Sequence, residues 1–121
     1  MDHTKAVLVL STDNEGDLVE TLFGLGLIPL VRQNMMQALH KIRHERFVAV
    51  FLDLDHSRAD ALEFVLNIRD IDRRIPVIVI GEPDNDCERQ VLAKQPETFF
   101  VTDKPNQLSM KLKSILMNQP N

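Results

Sequence analysis

The stretch Val48-Ala49-Val50-Phe51-Leu52 is apolar at every position. A strand with one wet face alternates apolar and polar side chains, so a strand without alternation has to be covered on both faces. It belongs at the centre of a parallel sheet with helices above and below, and an antiparallel sheet open to water on one side does not accommodate it. The run ends at Asp53-Leu54-Asp55, which places carboxylates where the strand leaves the core.

The rest of the chain repeats one unit, a short apolar run followed by an amphipathic stretch, the pattern of successive βα units. Ala6 to Leu10 is a first strand, stopped by Ser11-Thr12-Asp13-Asn14, all good helix N-caps. Leu18, Val19, Leu22, Phe23 and Leu25 follow at helical spacing, with Gly24 and Gly26 marking the helix end, and Ile28 to Val31 is a second strand. Asn34 is placed to cap a helix that carries Met36, Leu39 and Ile42 on one face. Beyond the central strand, Ala61, Leu62, Val65 and Ile68 form another stripe, and Pro76 leads into a fourth strand, Val77 to Ile80, broken by Gly81-Glu82-Pro83-Asp84. A fourth helix around Cys87, Val91 and Leu92 stops before Pro96, since proline disfavours helical geometry in the residue ahead of it. Phe99-Phe100-Val101 is a last strand, and Leu108, Leu112, Ile115 and Leu116 line a closing helix. Five strands in strict alternation with five helices, joined by right-handed crossovers, predict a three-layer α/β sandwich forming one domain over residues 1–121.

Composition narrows the function classes. A net charge of −4 opposes a broad nucleic-acid footprint, although basic residues gather at Arg32, Lys41, Arg43 and Arg46 with His40 and His44 between them, a solvated helix face or a partner surface. No apolar run approaches the roughly 18–20 residues that span a bilayer. The N-terminal residues lack the pattern of a secretory signal. The expectation is therefore a cytoplasmic protein without a membrane partner. The single Cys87 fits a reducing compartment and reads as a buried or half-buried structural thiol rather than a nucleophile, because no Cys–His pairing is evident.

In open parallel sheets, ligands bind outside the carboxyl ends of the strands, where successive crossovers leave for opposite faces. That rule selects Ser11, Thr12 and Asp13 after the first strand, Asp53 and Asp55 at the end of the third, Gly81 and Glu82 after the fourth, and Asp103 and Lys104 after the fifth. Carboxylates and an ammonium group facing one crevice suit phosphoryl chemistry, with Lys104 meeting the phosphoryl charge. Each residue also has a plainer reading: Asp53 leaving the core or capping the next turn, Lys104 at the surface, and the residues after the first strand starting its helix.

Taken together, three stretches resemble the receiver domain of two-component response regulators, the CheY-like fold. They are Phe47 to Asp55, similar to the phosphoacceptor strand, Ile75 to Ile80, similar to the fourth strand, and Thr102-Asp103-Lys104-Pro105, similar to the lysine turn. The resemblance implies a flavodoxin-like strand order of 2-1-3-4-5. It also implies that Asp53 accepts a phosphoryl group from a histidine kinase or phosphotransfer protein and that Lys104 senses the new charge. Mg²⁺ would be held by Asp53, Asp13 and the backbone carbonyl of Asp55. Such a module is a phosphoacceptor and not a turnover enzyme, capable at most of self-catalysed phosphoryl transfer and dephosphorylation.

The chain departs from that family in two places. Receivers carry adjacent acids after the first strand, whereas here Ser11 and Thr12 stand there and Asp13 falls one position late, which weakens a hard-cation site. Gly81 replaces the Ser or Thr that bonds the phosphoryl group, and the aromatic switch position falls on Val101 or, with one residue inserted near Asp103, on Phe100. The alternative is a pseudo-receiver acting through phosphorylation-independent protein contacts. A flavodoxin-type electron carrier is disfavoured, because Asp13 and Glu15 oppose a phosphate cradle and the chain has no Trp or Tyr to flank a flavin ring. Output is expected through a downstream protein partner or a homodimer face around Glu88 to Met117.

Overall fold

The structure is a computed structural model that describes residues 5–13, 16–57, 59–83, 85–101, 110–111 and 113–114. Strands β1 (Ala6–Leu10), β2 (Ile28–Arg32), β3 (Ala49–Asp53), β4 (Val77–Ile80) and β5 (Thr98–Val101) form one sheet in the order β2-β1-β3-β4-β5. Every pairing is parallel, with Leu10 opposite Leu52 and Asp53 opposite Ile80. All five residues of β3 are buried, the four apolar ones from Ala49 to Leu52 as the unbroken run requires.

The sheet's two faces carry separate cores. On one face Leu8, Leu10, Val50, Leu52, Val77 and Val79 pack under α2 (Met35–His44), α3 (Ala61–Ile71) and α4 (Asp86–Ala93). On the other, Val7, Val9, Ala49, Phe51, Ile78 and Ile80 pack with Leu22 of α1 (Asp17–Gly24). The period-two alternation of side chains along each strand divides the residues between the faces. Of the expected closing helix, Met110, Lys111, Lys113 and Ser114 are described and helical, and Lys111 Nζ donates to Phe100 O (3.3 Å). Leu108, Leu112, Ile115 and Leu116 lie outside the described residues.

Helix starts follow the capping chemistry, with one exception. Asn34, Asp60 and Asn85 each accept a backbone N–H three residues on, which satisfies a donor the helix leaves unpaired. The exception is α1, where none of Ser11, Thr12 or Asp13 serves as cap. Its N-cap is Gly16, with no side-chain bond.

Three sequence expectations need correction. Met36 is 82% exposed, and the buried stripe of α2 is Ala38, Leu39 and Ile42. At about 100° per residue, Met36 lies roughly 120° around the helix from Ile42. Phe23 is likewise exposed, leaving Val19 and Leu22 to face the sheet. Cys87 is exposed in the first turn of α4, whose one buried residue is Leu92.

An unanticipated tie joins three elements at the amino-terminal edge of the sheet. Buried Arg69 of α3 donates from Nη1 to Ile75 O (2.7 Å) and Asp72 O (3.2 Å), and from Nη2 to Glu97 O (2.9 Å). These contacts fix the turn before β4 and the turn before β5, where Glu97 adopts a φ of 51°.

The outer edge of β2 is partly blocked. Ile28 N and Arg32 O both bond toward β1, so by alternation Pro29 and Val31 direct their backbone outward. Pro29 has no N–H to offer, and Val31 O is already taken by Arg32 Nη1 (2.8 Å).

Candidate functional site

The crossover from β1 to β2 passes over one face of the sheet through α1, and the connection to β3 over the other through α2. A crevice therefore opens at the carboxyl ends of β1 and β3, which is the place such sheets bind ligands. Ser11, Thr12 and Asp13 enter it from β1, and Asp53 closes β3 directly beside them.

Asp53 is 5% exposed, and its carboxylate is held by three donors. Oδ1 accepts the N–H of Asp55 (3.1 Å), making Asp53 the cap of the 3-10 turn Leu54–His56. Oδ2 accepts the Ser11 hydroxyl (3.1 Å) and His56 Nδ1 (2.9 Å). A carboxylate accepts only, so Nδ1 carries the ring proton. Burying a charge in this way is tolerable because both oxygens are bonded.

The Ser11 hydroxyl also accepts the N–H of Asp13 (3.0 Å), so one buried side chain ties the loop after β1 to the end of β3. Thr12 secures the other side, since its N–H (2.6 Å) and hydroxyl (2.9 Å) both donate to His56 O. His56 is half exposed, with Nε2 lying 3.9 Å from Asp13 Oδ2. The hydrogen bond that His56 donates to Asp53 and the charge of that carboxylate raise the His56 pKa above its ordinary 6.5, reinforced by Asp13 and Asp55 and opposed by desolvation. Asp13 itself lies against Gly16, where a β-carbon would collide with its carboxylate, so its charge sits at the amino end of α1, the favourable end of the helix dipole.

Gly81 follows β4 with a φ of +99°, and its N–H donates to Val101 O (3.1 Å). A β-carbon there would stand 3.1 Å from Asp55 Oδ1 and 3.3 Å from the Leu54 β-carbon. The residue is glycine for a backbone reason. In β5, Val101 is buried in the α1-side core, while Phe100 points to the opposite face with the Arg89 guanidinium 5.4 Å from its ring. Lys104, with Asp103 and Pro105, lies outside the described residues, as do Asn14 and Glu15. Among the described residues, no group of three or more His, Cys, Asp and Glu is placed to share a metal ion.

Sequence reasoning brought Asp53, Ser11, Thr12, Asp13, Asp55 and Gly81 to this edge and missed His56. The signal was available: a histidine three residues after a strand-ending aspartate falls on the same side of a single helical turn.

No protein-family model matches the chain, and no curated protein matches it significantly. Solved structures do. A two-component response regulator from Clostridium difficile superposes with a TM-score of 0.79 at 20% identity, over 95% of this chain and 99% of that one. The receiver domain of a sensor histidine kinase from Pseudomonas aeruginosa, with magnesium coordinated in its active site cleft, gives 0.77 at 18% identity, over 94% and 98%. The receiver domain of NtrC4 from Aquifex aeolicus gives 0.71 at 25% identity, over 92% and 93%. The fold is that of a response-regulator receiver domain. Within the receiver fold, the strand order and helix placement agree with the sequence expectation. Among the described residues no helix is long and apolar enough to cross a membrane.

Proposed function

We propose that residues 1–121 form one receiver module of two-component phosphorelay signalling, working in the cytoplasm. In this reading Asp53 takes a phosphoryl group from a histidine kinase or phosphotransfer protein, and the signal passes to a downstream protein or a second copy of the chain. The supporting observation is the position of Asp53, the one buried acid among the described residues, at the crevice where β1 and β3 diverge. In the transfer, an Asp53 oxygen forms a P–O bond as the P–N bond to the donor's imidazole breaks, and the departing ring takes a proton from water. Lys104 supplies the cation for the new charge, and Gly81, Phe100 and Val101 are the positions through which the change would be read. This is acceptor chemistry, without turnover of a diffusible substrate.

A divalent ion would draw on Asp53, Asp13 and Asp55, and the donor set fits it poorly. The end of β1 offers the hydroxyls of Ser11 and Thr12 where a hard cation prefers carboxylates, and both Asp53 oxygens already accept hydrogen bonds. Mg²⁺ would therefore be held weakly.

A second reading, a pseudo-receiver signalling by protein contacts without phosphorylation, is favoured by the same three hydrogen bonds, because they engage most of the lone-pair directions of the Asp53 carboxylate and weaken it as a nucleophile. One experiment separates the two. Acetyl phosphate and Mg²⁺ are added, and intact mass is followed. A base-labile gain of one phosphoryl group, absent in Asp53→Asn, supports the acceptor reading. No gain with that donor or with phosphorylated candidate kinases leaves the pseudo-receiver.

A further inference from the structure

The 24 residues from Thr21 to His44 contain no Asp or Glu, so a chain of net charge −4 is +3 within that stretch and −7 outside it. Folding gathers part of this charge into one place. A groove of about 680 Å³ runs between the end of β2 and the outer side of α2, lined by Val31, Arg32, Gln33, Met36, Gln37, His40 and Lys41. Each ionisable side chain in that lining is basic. The apolar components are Val31 and Met36, and the flexible thioether side chain of Met36 is exposed on the side of α2 away from the core.

We propose that this groove is a docking surface for an acidic segment of a partner protein, one that sets carboxylates against Arg32, His40 and Lys41 and an apolar side chain against Met36. Existing contacts do not hold the cations back. Lys41 bonds Glu45 one helical turn away (2.8 Å) in an exposed pair, which is worth little and is readily exchanged. Arg32 spends Nη1 on Val31 O and keeps the remaining donors of its fork, the geometry that suits a carboxylate. Pro29 has no N–H and Arg32 occupies Val31 O, so the outward edge of β2 is a poor template for an added strand, which favours reading of the partner by side chains. Gln33 borders both this groove and the cleft containing Thr12, Asp55 and His56, so a docked segment lies beside the Asp53 crevice. The inference does not depend on whether Asp53 is phosphorylated.

The test uses the ¹⁵N-labelled full chain and a synthetic amphipathic peptide carrying glutamates and interspersed leucines, followed by amide chemical shifts. Saturable shifts centred on Arg32, Met36, His40 and Lys41 are expected. Affinity should fall about tenfold in R32E/K41E and severalfold in Met36→Ser, as expected of charge and apolar anchors at an interface. Thermal melts verify that each variant folds, and Lys41→Gln serves if the double reversal does not. The proposal is overturned by absence of saturation, by shifts centred elsewhere, or by affinity unchanged in these variants. Equal binding of the same peptide with serines in place of leucines would reduce the groove to unspecific ion attraction and also overturn it. So would self-association through the groove that the peptide fails to displace.

Discussion

His56 Nδ1 stands 2.9 Å from Asp53 Oδ2, while its other ring nitrogen faces Asp13 Oδ2 at 3.9 Å. The ring is thus held between two carboxylates, and its pKa in the folded protein is raised above 6.5. A group whose pKa rises on folding contributes stability that is fully present below the unfolded value and is lost as pH climbs through the folded one. The Tm difference between the native chain and His56→Gln should be largest below pH 6.5 and shrink as pH rises above it. The His56 ring signal, followed by NMR, should titrate above 6.5 and move back toward that value in Asp53→Asn. An unshifted midpoint would show that the two side chains do not meet in solution.

Removing the imidazole also frees one lone-pair direction on Asp53 Oδ2. If Asp53 is the acceptor, His56→Ala should label faster than the native chain with acetyl phosphate, by roughly tenfold for a lost charged hydrogen bond of about 1.5 kcal/mol. Initial rates from intact mass decide it, and a slower variant would instead make the ring a positioning group for the acceptor.

Restoring a hydroxyl after β4 should not restore receiver chemistry. Gly81→Ser places a side chain at a φ of +99° and 3.1 Å from Asp55 Oδ1, so it should cost about 1–2 kcal/mol in urea unfolding without raising phosphodonor labelling.

Arg69→Ala strips the donors from the carbonyls of Asp72, Ile75 and Glu97 at once. The expected loss is about 2–4 kcal/mol, read from chemical denaturation. Arg69→Lys should recover only part of it, because an ammonium cannot bridge two turns with a planar fork.

Much of the architecture was legible because each strand and helix announces itself locally. The unbroken apolar run of β3 demanded cover on both faces, and the break at Asp53 marked the functional edge. Helix faces were less legible. Phe23 follows buried Leu22 and Met36 lies two residues before buried Ala38, and only the direction of the sheet beneath decides which of them turns inward. Ser11 looked like a helix cap by residue type, and its proximity to Asp53 arises from pairing β1 with β3, a contact spanning 42 residues. Arg69 escaped notice because its partners are backbone carbonyls, which leave no trace in side-chain patterning.

Pro29 bears on how this molecule behaves in a crowded cell. A sheet whose rim lacks an outward donor at one position, and has its neighbouring acceptor already engaged, gives a foreign chain a poorer template on which to lengthen it. Copies of the protein that meet along β2 are therefore less prone to fibrous growth on that flank.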